Sequence, residues 1–199
     1  RTFASHYFLF RATPTALWID HSLQEVFGVS DPLNAKTADA IYDRIDGCLK
    51  LPEFRPRALF ENFNIEVLAT TEGALDPLEA HKNIQASGWG GRVITTYRPD
   101  TVVDPETPGF SENIARFGEL TGEDTSSWSG YLQAHRKRRA EFKTHGATAT
   151  DHGHPTARTE DLSRSDAAGL FDRALAGRLS SEEADLFRGH MLTEMARMS

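Results

Sequence analysis

The chain has 199 residues, and 39% of them are hydrophobic, which is enough for a folded core and too many for a disordered protein. Its 22 basic residues against 29 acidic ones give a net charge of −7, which argues against general nucleic-acid binding because such binding needs a basic surface. No apolar run approaches the roughly 20 residues of a membrane span, and the single Cys48 cannot form an internal disulfide, so we expect a cytoplasmic protein without a membrane partner.

The N-terminal third carries helical patterns. "TPTALWIDHSLQEVFGV" has apolar residues at helical spacing, with a cap candidate at Thr15 and a stop at Gly28. "NAKTADAIYDRIDGCLKL" predicts a second helix, capped by Asn34 and ended by Pro52, and "PRALFENFN" predicts a third. We therefore assign residues 1–64 to a helical region.

The pattern then changes to one of alternating strands and helices. "IEVLATT" (65–71) and "RVITTYR" (92–98) are apolar or β-branched at consecutive positions, which is typical of strands buried on both faces. "ATAT" predicts a weaker third strand near 147–151. Between the strands, "DPLEAHKNIQASGW" predicts a helix with Asp76 as N-cap and Pro77 at its first position.

Further helices are predicted by "GFSENIARFGELTG" and "SSWSGYLQAHRKRRAEFKTHG", and two more close the chain, the last of which opens with a capping box. This alternation predicts an α/β fold with parallel strands joined by right-handed crossovers. Three strands cannot close a barrel, but they can be consecutive strands of one. The chain has no initiator Met and stops within a helical pattern, so we expect it to be part of a longer polypeptide.

Polar side chains follow all three predicted strands. They are Thr70, Thr71 and Glu72, then Tyr97, Arg98 and Asp100, then Asp151, His152 and His154. Function collects at the carboxyl ends of parallel strands, so three such ends indicate a site. Arg98 precedes Pro99 at the rim, where a guanidinium suits a carboxylate ligand, and an ion pair with Asp100 or another acid is the alternative.

Three interpretations of "TDHGHP" remain open from its residues. Asp151 and His152 could be a proton-transfer group and its partner. His152 and His154 could bind a metal, because i, i+2 spacing on a strand puts both rings on one face. Gly153 and Pro155 favour the third interpretation, a structural turn beyond the end of the strand.

Read in order, the motifs "HYFLFRA", "FNIEVLATTEGALDPLEAH", "TTYRPD" and "TDHG" resemble the uronate isomerase (glucuronate isomerase) family of the amidohydrolase superfamily. The resemblance covers nearly all of this chain but only the middle of a family member. It implies an incomplete (β/α)8 TIM-type barrel in residues 65–199, with a helical insertion in residues 1–64. It also implies a homo-oligomer that acts on a small sugar acid, interconverting D-glucuronate with D-fructuronate and D-galacturonate with D-tagaturonate by aldose–ketose proton transfer.

The matched motifs supply the candidate site residues: the catalytic Tyr7 and Asp151, the substrate-binding His6 and Arg98, and the further candidates Arg11, Thr71 and His152. Tyr7 would help to move the proton between C2 and C1. The spacing of its aromatic neighbours alone predicts that Tyr7 packs in the core. The resemblance reverses that interpretation and implies a catalytic role.

The resemblance implies zinc or another divalent metal for the full-length family. The family's His-x-His lies before the part matched here and its late metal-binding Asp lies after it, so we expect neither a bound metal nor turnover from these 199 residues alone. The family's "TTDDP" is "TTEGA" here, which leaves the role of residues 72–74 open. The alternative function is a non-catalytic fragment or binding module that keeps the fold without the metal site.

Overall fold

A computed structural model describes residues 1–199. The chain forms two compact units, Arg1–Ile65 and Glu66–Ser199. Neither unit contains a helix whose length and apolarity would let it span a membrane.

The first unit is helical. Its helices are α1 (Thr2–His6), α2 (Pro14–His21), α3 (Ala38–Leu49) and α4 (Pro56–Asn62), with 3-10 turns at Tyr7–Phe10 and Pro52–Phe54 and a π-helical turn at Ser22–Val26. Leu23, Val29 and Ile41 form its small buried core. All three helices predicted from the sequence are therefore present.

Two predicted helix caps in this unit are wrong. Thr13, not Thr15, caps α2, because Pro14 occupies the first helical position and the Thr13 hydroxyl accepts a helical N–H. Asn34 lies before α3 and accepts the Lys36 N–H at 2.8 Å, so it closes a turn instead of starting the helix.

The second unit is a small parallel sheet covered by helices. Its elements are β1 (Leu68–Gly73), α5 (Glu79–Ala86), β2 (Val93–Arg98), α6 (Asp100–Val103), α7 (Phe110–Thr121), α8 (Trp128–Thr144), α9 (Arg164–Leu175) and α10 (Ser181–Arg197). β1 and β2 are parallel, and the register runs from Leu68 opposite Val93 to Gly73 opposite Arg98. The α/β class with parallel strands is confirmed.

The third predicted strand is reduced to one parallel bridge between Tyr97 and Thr150. The backbone of Tyr97 donates to Ala149 O at 3.3 Å and accepts from Asp151 N at 3.0 Å. The three segments therefore lie side by side in chain order, and the carboxyl ends of β2 and of the bridge segment meet at one edge.

The predicted burial on both faces holds for neither strand in full. In β2, Thr95 and Tyr97 on one face are fully buried and Ile94 and Thr96 on the other face are partly buried, whereas Leu68 in β1 is 44% exposed. β1 also begins three residues later than predicted, because Ile65 N still donates to Phe60 O at the end of α4.

Aromatic residues dominate the core of the second unit. Phe117, Phe142 and Phe187 are fully buried, and the rings of Tyr131 and Phe171 stack with their centroids 4.5 Å apart. Packing of this kind fixes the helices against β2 and so sets the position of the sheet edge where β2 ends.

A buried arginine holds the loop that follows β1. Arg138 of α8 donates from Nε to Ala74 O at 2.8 Å and from Nη2 to Asp76 O. The Asp76 carboxylate accepts the Leu78 N–H at 2.7 Å, and Leu78 adopts a left-handed φ of 57°. α5 therefore starts at Glu79 after Leu78, and the prediction of Asp76 as its N-cap and Pro77 as its first position is wrong.

Protonation of His135 should make the second unit less stable in acid. His135 is fully buried, with Tyr97 Oη 2.9 Å from its Nδ1, and burial lowers the pKa of His135 from 6.5 to about 3. Between pH 6.5 and about 3 the unfolded chain carries a proton that the folded chain lacks, so the free energy of unfolding falls as pH falls through that window.

His135→Asn tests this, because its amide oxygen can still accept from Tyr97 and the variant does not titrate. We expect urea unfolding between pH 7 and pH 5 to show a steeper loss of stability for the wild type than for the variant. Parallel curves for the two proteins would contradict this prediction.

Candidate functional site

The carboxyl end of β2 is joined to the bridge segment through Asp100. Arg98 Nε donates to Asp100 Oδ2 at 2.7 Å, and Gly153 N donates to both oxygens of the same carboxylate at 3.0 Å. Arg98 Nη1 also lies 3.4 Å from Asp151 Oδ2. Two residues predicted for the site, Arg98 and Asp151, are thus brought together, as the strand-end argument requires.

Arg98 is paired and still accessible. Its contact with Asp100 is the ion pair that the sequence left open as the alternative to a ligand contact. The side chain is 44% exposed, with Nε donating to Asp100 and Nη1 facing Asp151 at 3.4 Å, so the remaining N–H groups are left for a ligand carboxylate. The two interpretations of Arg98 are compatible in this geometry.

His152 and His154 lie beyond the last bridged residue, in a segment with no regular structure, as Gly153 and Pro155 suggested. Their ring centroids are nevertheless 5.4 Å apart. One ligand atom from each ring and one from Asp100 all lie within 4.8 Å of one another. This donor set can hold a divalent metal ion.

Asp100 is a site residue whose place in this cluster the sequence analysis missed. The spacing of His152 and His154 relates these two residues to each other but not to Asp100. The available signal was topological, since Asp100 follows a strand that lies beside the segment carrying both histidines.

The end of β1 carries a separate polar network. Glu72 Oε1 lies 3.2 Å from His81 Nε2, Thr70 Oγ1 lies 3.1 Å from the same nitrogen, and the Thr95 hydroxyl donates to Glu72. Burial raises the pKa of Glu72, but these hydrogen bonds outweigh it and leave the pKa below its usual value. Thr71, a further predicted site residue, is exposed on β1 and has no side-chain hydrogen bond.

Tyr7 is buried in the first unit. Its hydroxyl lies 3.0 Å from Ala16 O and 2.8 Å from Asp20 Oδ1. Burial, together with the hydrogen bond to Asp20, raises the pKa of Tyr7 to about 12. The phenol is therefore protonated at neutral pH and can donate a proton but does not start as a base.

His6 and Arg11, the other candidates in this unit, are both exposed. His6 Nδ1 lies 2.9 Å from Thr2 O, and because a carbonyl only accepts, this contact puts the proton on Nδ1 and leaves Nε2 free to accept from a ligand. Arg11 and Tyr7 line a cavity of about 370 Å³, whereas His6 does not.

Comparison with known proteins gives a consistent match over the whole chain. The family model of glucuronate isomerase matches residues 1–199. The chain is 62% identical over 199 residues to a uronate isomerase of Mesorhizobium japonicum and 59% identical over 199 residues to one of Phenylobacterium zucineum. Each match covers 100% of this chain and 42% of the relative, so the chain spans less than half the length of these relatives.

Two solved structures share the fold. The crystal structure of glucuronate isomerase from Caulobacter crescentus superposes with a TM-score of 0.92 at 52% identity, covering 99% of this chain and 41% of that one. The uronate isomerase of Thermotoga maritima superposes with a TM-score of 0.86 at 28% identity, covering 98% of this chain and 43% of that one.

The contact between Gly153 and Asp100 predicts that a side chain at position 153 displaces the side chains of Arg98 and Asp100. A Cβ there would overlap Arg98 Nη2 and lie 2.6 Å from Asp100 Oδ2. We expect Gly153→Ala to separate Arg98 from Asp100, to shift the NMR resonance of the Arg98 Nε–H, and to lower the free energy of unfolding by about 1 kcal/mol, the usual net value of a lost hydrogen bond.

Gly169→Ala is the matched control, because a Cβ at that helical position meets only an ordinary contact at 3.8 Å from Arg173 Nη1. It should stabilise the protein by about 0.5–1 kcal/mol and leave the Arg98 resonance in place. An unchanged Arg98 resonance in Gly153→Ala would disprove the packing argument.

Proposed function

Because this chain belongs to the glucuronate isomerase family, we propose that the whole protein is a uronate isomerase that interconverts D-glucuronate with D-fructuronate, and D-galacturonate with D-tagaturonate. The observation that carries the proposal is the family match over residues 1–199, together with 62% identity to a protein named uronate isomerase. Since the chain spans 42% of those relatives, the activity belongs to the whole protein.

The reaction moves hydrogen without any gain or loss of atoms. A proton leaves C2 of the aldose and one is added at C1, while the C2 hydroxyl becomes a carbonyl and the C1 carbonyl becomes a hydroxyl. In this proposal Tyr7 helps to move the proton, and the protonated state of its phenol supports a donating role. Asp151 lines the site as a carboxylate that can accept a proton.

Arg98 holds the anionic part of the sugar acid. The accessible Nη groups, with Nε fixed by Asp100, support bidentate capture of the substrate carboxylate. His6 contacts the substrate through its free Nε2. Arg11, Thr71 and His152 are proposed as additional contacts.

The sheet is proposed to be part of a (β/α)8 barrel, with residues 1–64 as a helical insertion and residues 65–199 as a barrel segment. β1 supports this because it pairs with β2 on one edge only, and an unpaired strand edge is normally covered by another element. The family resemblance also implies a divalent metal, which polarises a carbonyl oxygen when bound.

The direct test is an isomerase assay of the whole protein with D-glucuronate and with D-galacturonate, in the presence of zinc, with ketose formation as the readout. We expect turnover of at least one of these substrates. Absence of turnover by the folded whole protein would favour the binding-module alternative.

Arg98→Lys should lower kcat/KM by about 10-fold or more in the whole protein, because a point charge cannot replace a planar fork at a carboxylate. Arg178→Lys, at an exposed position of the same unit, is the matched control and should leave kcat/KM unchanged. If the two variants behave alike, Arg98 does not bind the substrate.

Tyr7→Phe should lower the turnover rate by about 10²-fold while the fold persists, since it removes the phenol and keeps the ring. Asp20→Asn is the control, because its side chain still accepts from Tyr7 and leaves the phenol in place. A loss of stability in Tyr7→Phe without a loss of rate would assign Tyr7 to packing alone.

A further inference from the structure

We propose that Asp100, His152 and His154 form a binding site for a divalent transition-metal ion of the zinc class, in addition to the metal that the family resemblance implies. One ligand atom from each of the three side chains lies within 4.8 Å of the other two. No other group of His, Cys, Asp and Glu in the described chain converges in this way.

The spacing of the three side chains suits such an ion after a small movement. Zinc–nitrogen bonds of about 2.0–2.1 Å in a tetrahedral site put ligand atoms about 3.3 Å apart. The separation of 4.8 Å is the upper limit here, so the side chains close by about 1.5 Å at most. Three protein ligands leave the fourth position open, as in catalytic rather than structural zinc sites.

The carboxylate is already oriented and still has capacity to bind. Gly153 N donates to Oδ1 and Oδ2 of Asp100, and Arg98 Nε donates to Oδ2. A carboxylate offers about four lone-pair positions, so one at Oδ1 remains for an ion. Hydrogen bonds of this kind, from groups that do not themselves bind the metal, hold ligands in place in metal sites.

The imidazoles have nitrogens that nothing in the protein satisfies. Nδ1 of His152 and both ring nitrogens of His154 are shielded from solvent and lack a hydrogen-bond partner. Shielded polar atoms are rarely left unpaired in proteins, and a metal ion would satisfy one nitrogen of each ring.

The chemistry of the ligands selects the class of ion. Two of the three are imidazole nitrogens, which suit zinc and the neighbouring transition metals, whereas calcium and magnesium prefer all-oxygen sites. The local charge is balanced, because Asp100, Asp104 and Asp151 are matched by Arg98, Arg139 and Arg188, so the selection rests on the ligand atoms. An ion bound here would lie beside Arg98, the residue proposed to hold the substrate carboxylate.

The sequence predicted no bound metal for this chain alone. That expectation rested on where the family motif places its own ligands, and the present site uses different residues. The observation that would reveal this site is therefore one additional bound ion per chain, and not simply that the protein contains metal.

The test is a metal count on the whole protein. After removal of metal with a chelator, the protein is loaded with Zn²⁺, freed of excess ion by gel filtration, and measured by plasma mass spectrometry. We expect His154→Ala to hold one ion per chain fewer than the wild type, and His152→Ala to hold fewer or to bind the ion at least about 10-fold more weakly. The count does not depend on turnover, so it remains readable if the proposed isomerase activity fails.

His154→Ala is expected to fold, because His154 makes no hydrogen bond in the structure, and circular dichroism checks this. His145→Ala is the matched control, since His145 also has a shielded Nδ1 without a partner but no converging ligands. Equal metal content in the wild type and both site variants overturns the proposal. A loss of the same size in His145→Ala also overturns it, because the loss would then not be specific to the site.

Discussion

The carboxylate of Asp100 is the interaction on which the geometry of the site depends. It accepts from the guanidinium that ends β2 and from the backbone of Gly153, which follows the bridge segment. Two segments 53 residues apart in sequence are thereby held at one distance and orientation. Both Arg98 and Asp100 are partly exposed, so the Coulomb energy of the pair is modest, and its importance lies in the directions it imposes on the side chains around it.

A second constraint comes from Arg138 of α8, which holds the loop after β1. The Arg138 guanidinium is almost completely buried, and a buried charge is tolerated only when its donors are satisfied. The carbonyls of Ala74 and Asp76 supply the acceptors, so the loop after β1 has little freedom to take another shape. The Glu141 carboxylate on the same helix pairs with Nη1 and balances the charge, while the two carbonyls satisfy the other donors and tie the loop to the helix.

The sequence predicted those elements whose signals are local. The Ser180–Glu183 capping box starts α10 as expected, and β2 differs from its predicted bounds by one residue, because its apolar run is framed by polar residues. The cap at Thr15 failed because Pro14 moved the helix start, and the burial of β1 failed because it depends on what covers the strand rather than on the strand itself.

The sequence likewise predicted one part of the candidate site and missed another. The meeting of Arg98 and Asp151 followed from strand order alone, since neighbouring parallel strands end at one edge. The cluster of Asp100 with the two histidines did not, because His152 and His154 lie in irregular backbone whose path no periodicity predicts. Tyr7 fits both the core interpretation and the functional one. It is buried, as its aromatic neighbours indicated, and its hydroxyl also has the polar partners that a functional phenol needs.

The register of the sheet has a consequence for the order in which the protein is made. Leu68 pairs with Val93, which is 25 residues later in the chain, and the next neighbour, the bridge at Thr150, follows β2 after a helical crossover. β2 and the bridge segment therefore each pair with a strand that has already been synthesised. Neither has to wait for a partner that lies later in the chain. Synthesis from the N-terminus and assembly of this sheet proceed in the same direction, which shortens the time that the apolar residues of β2 spend without a partner.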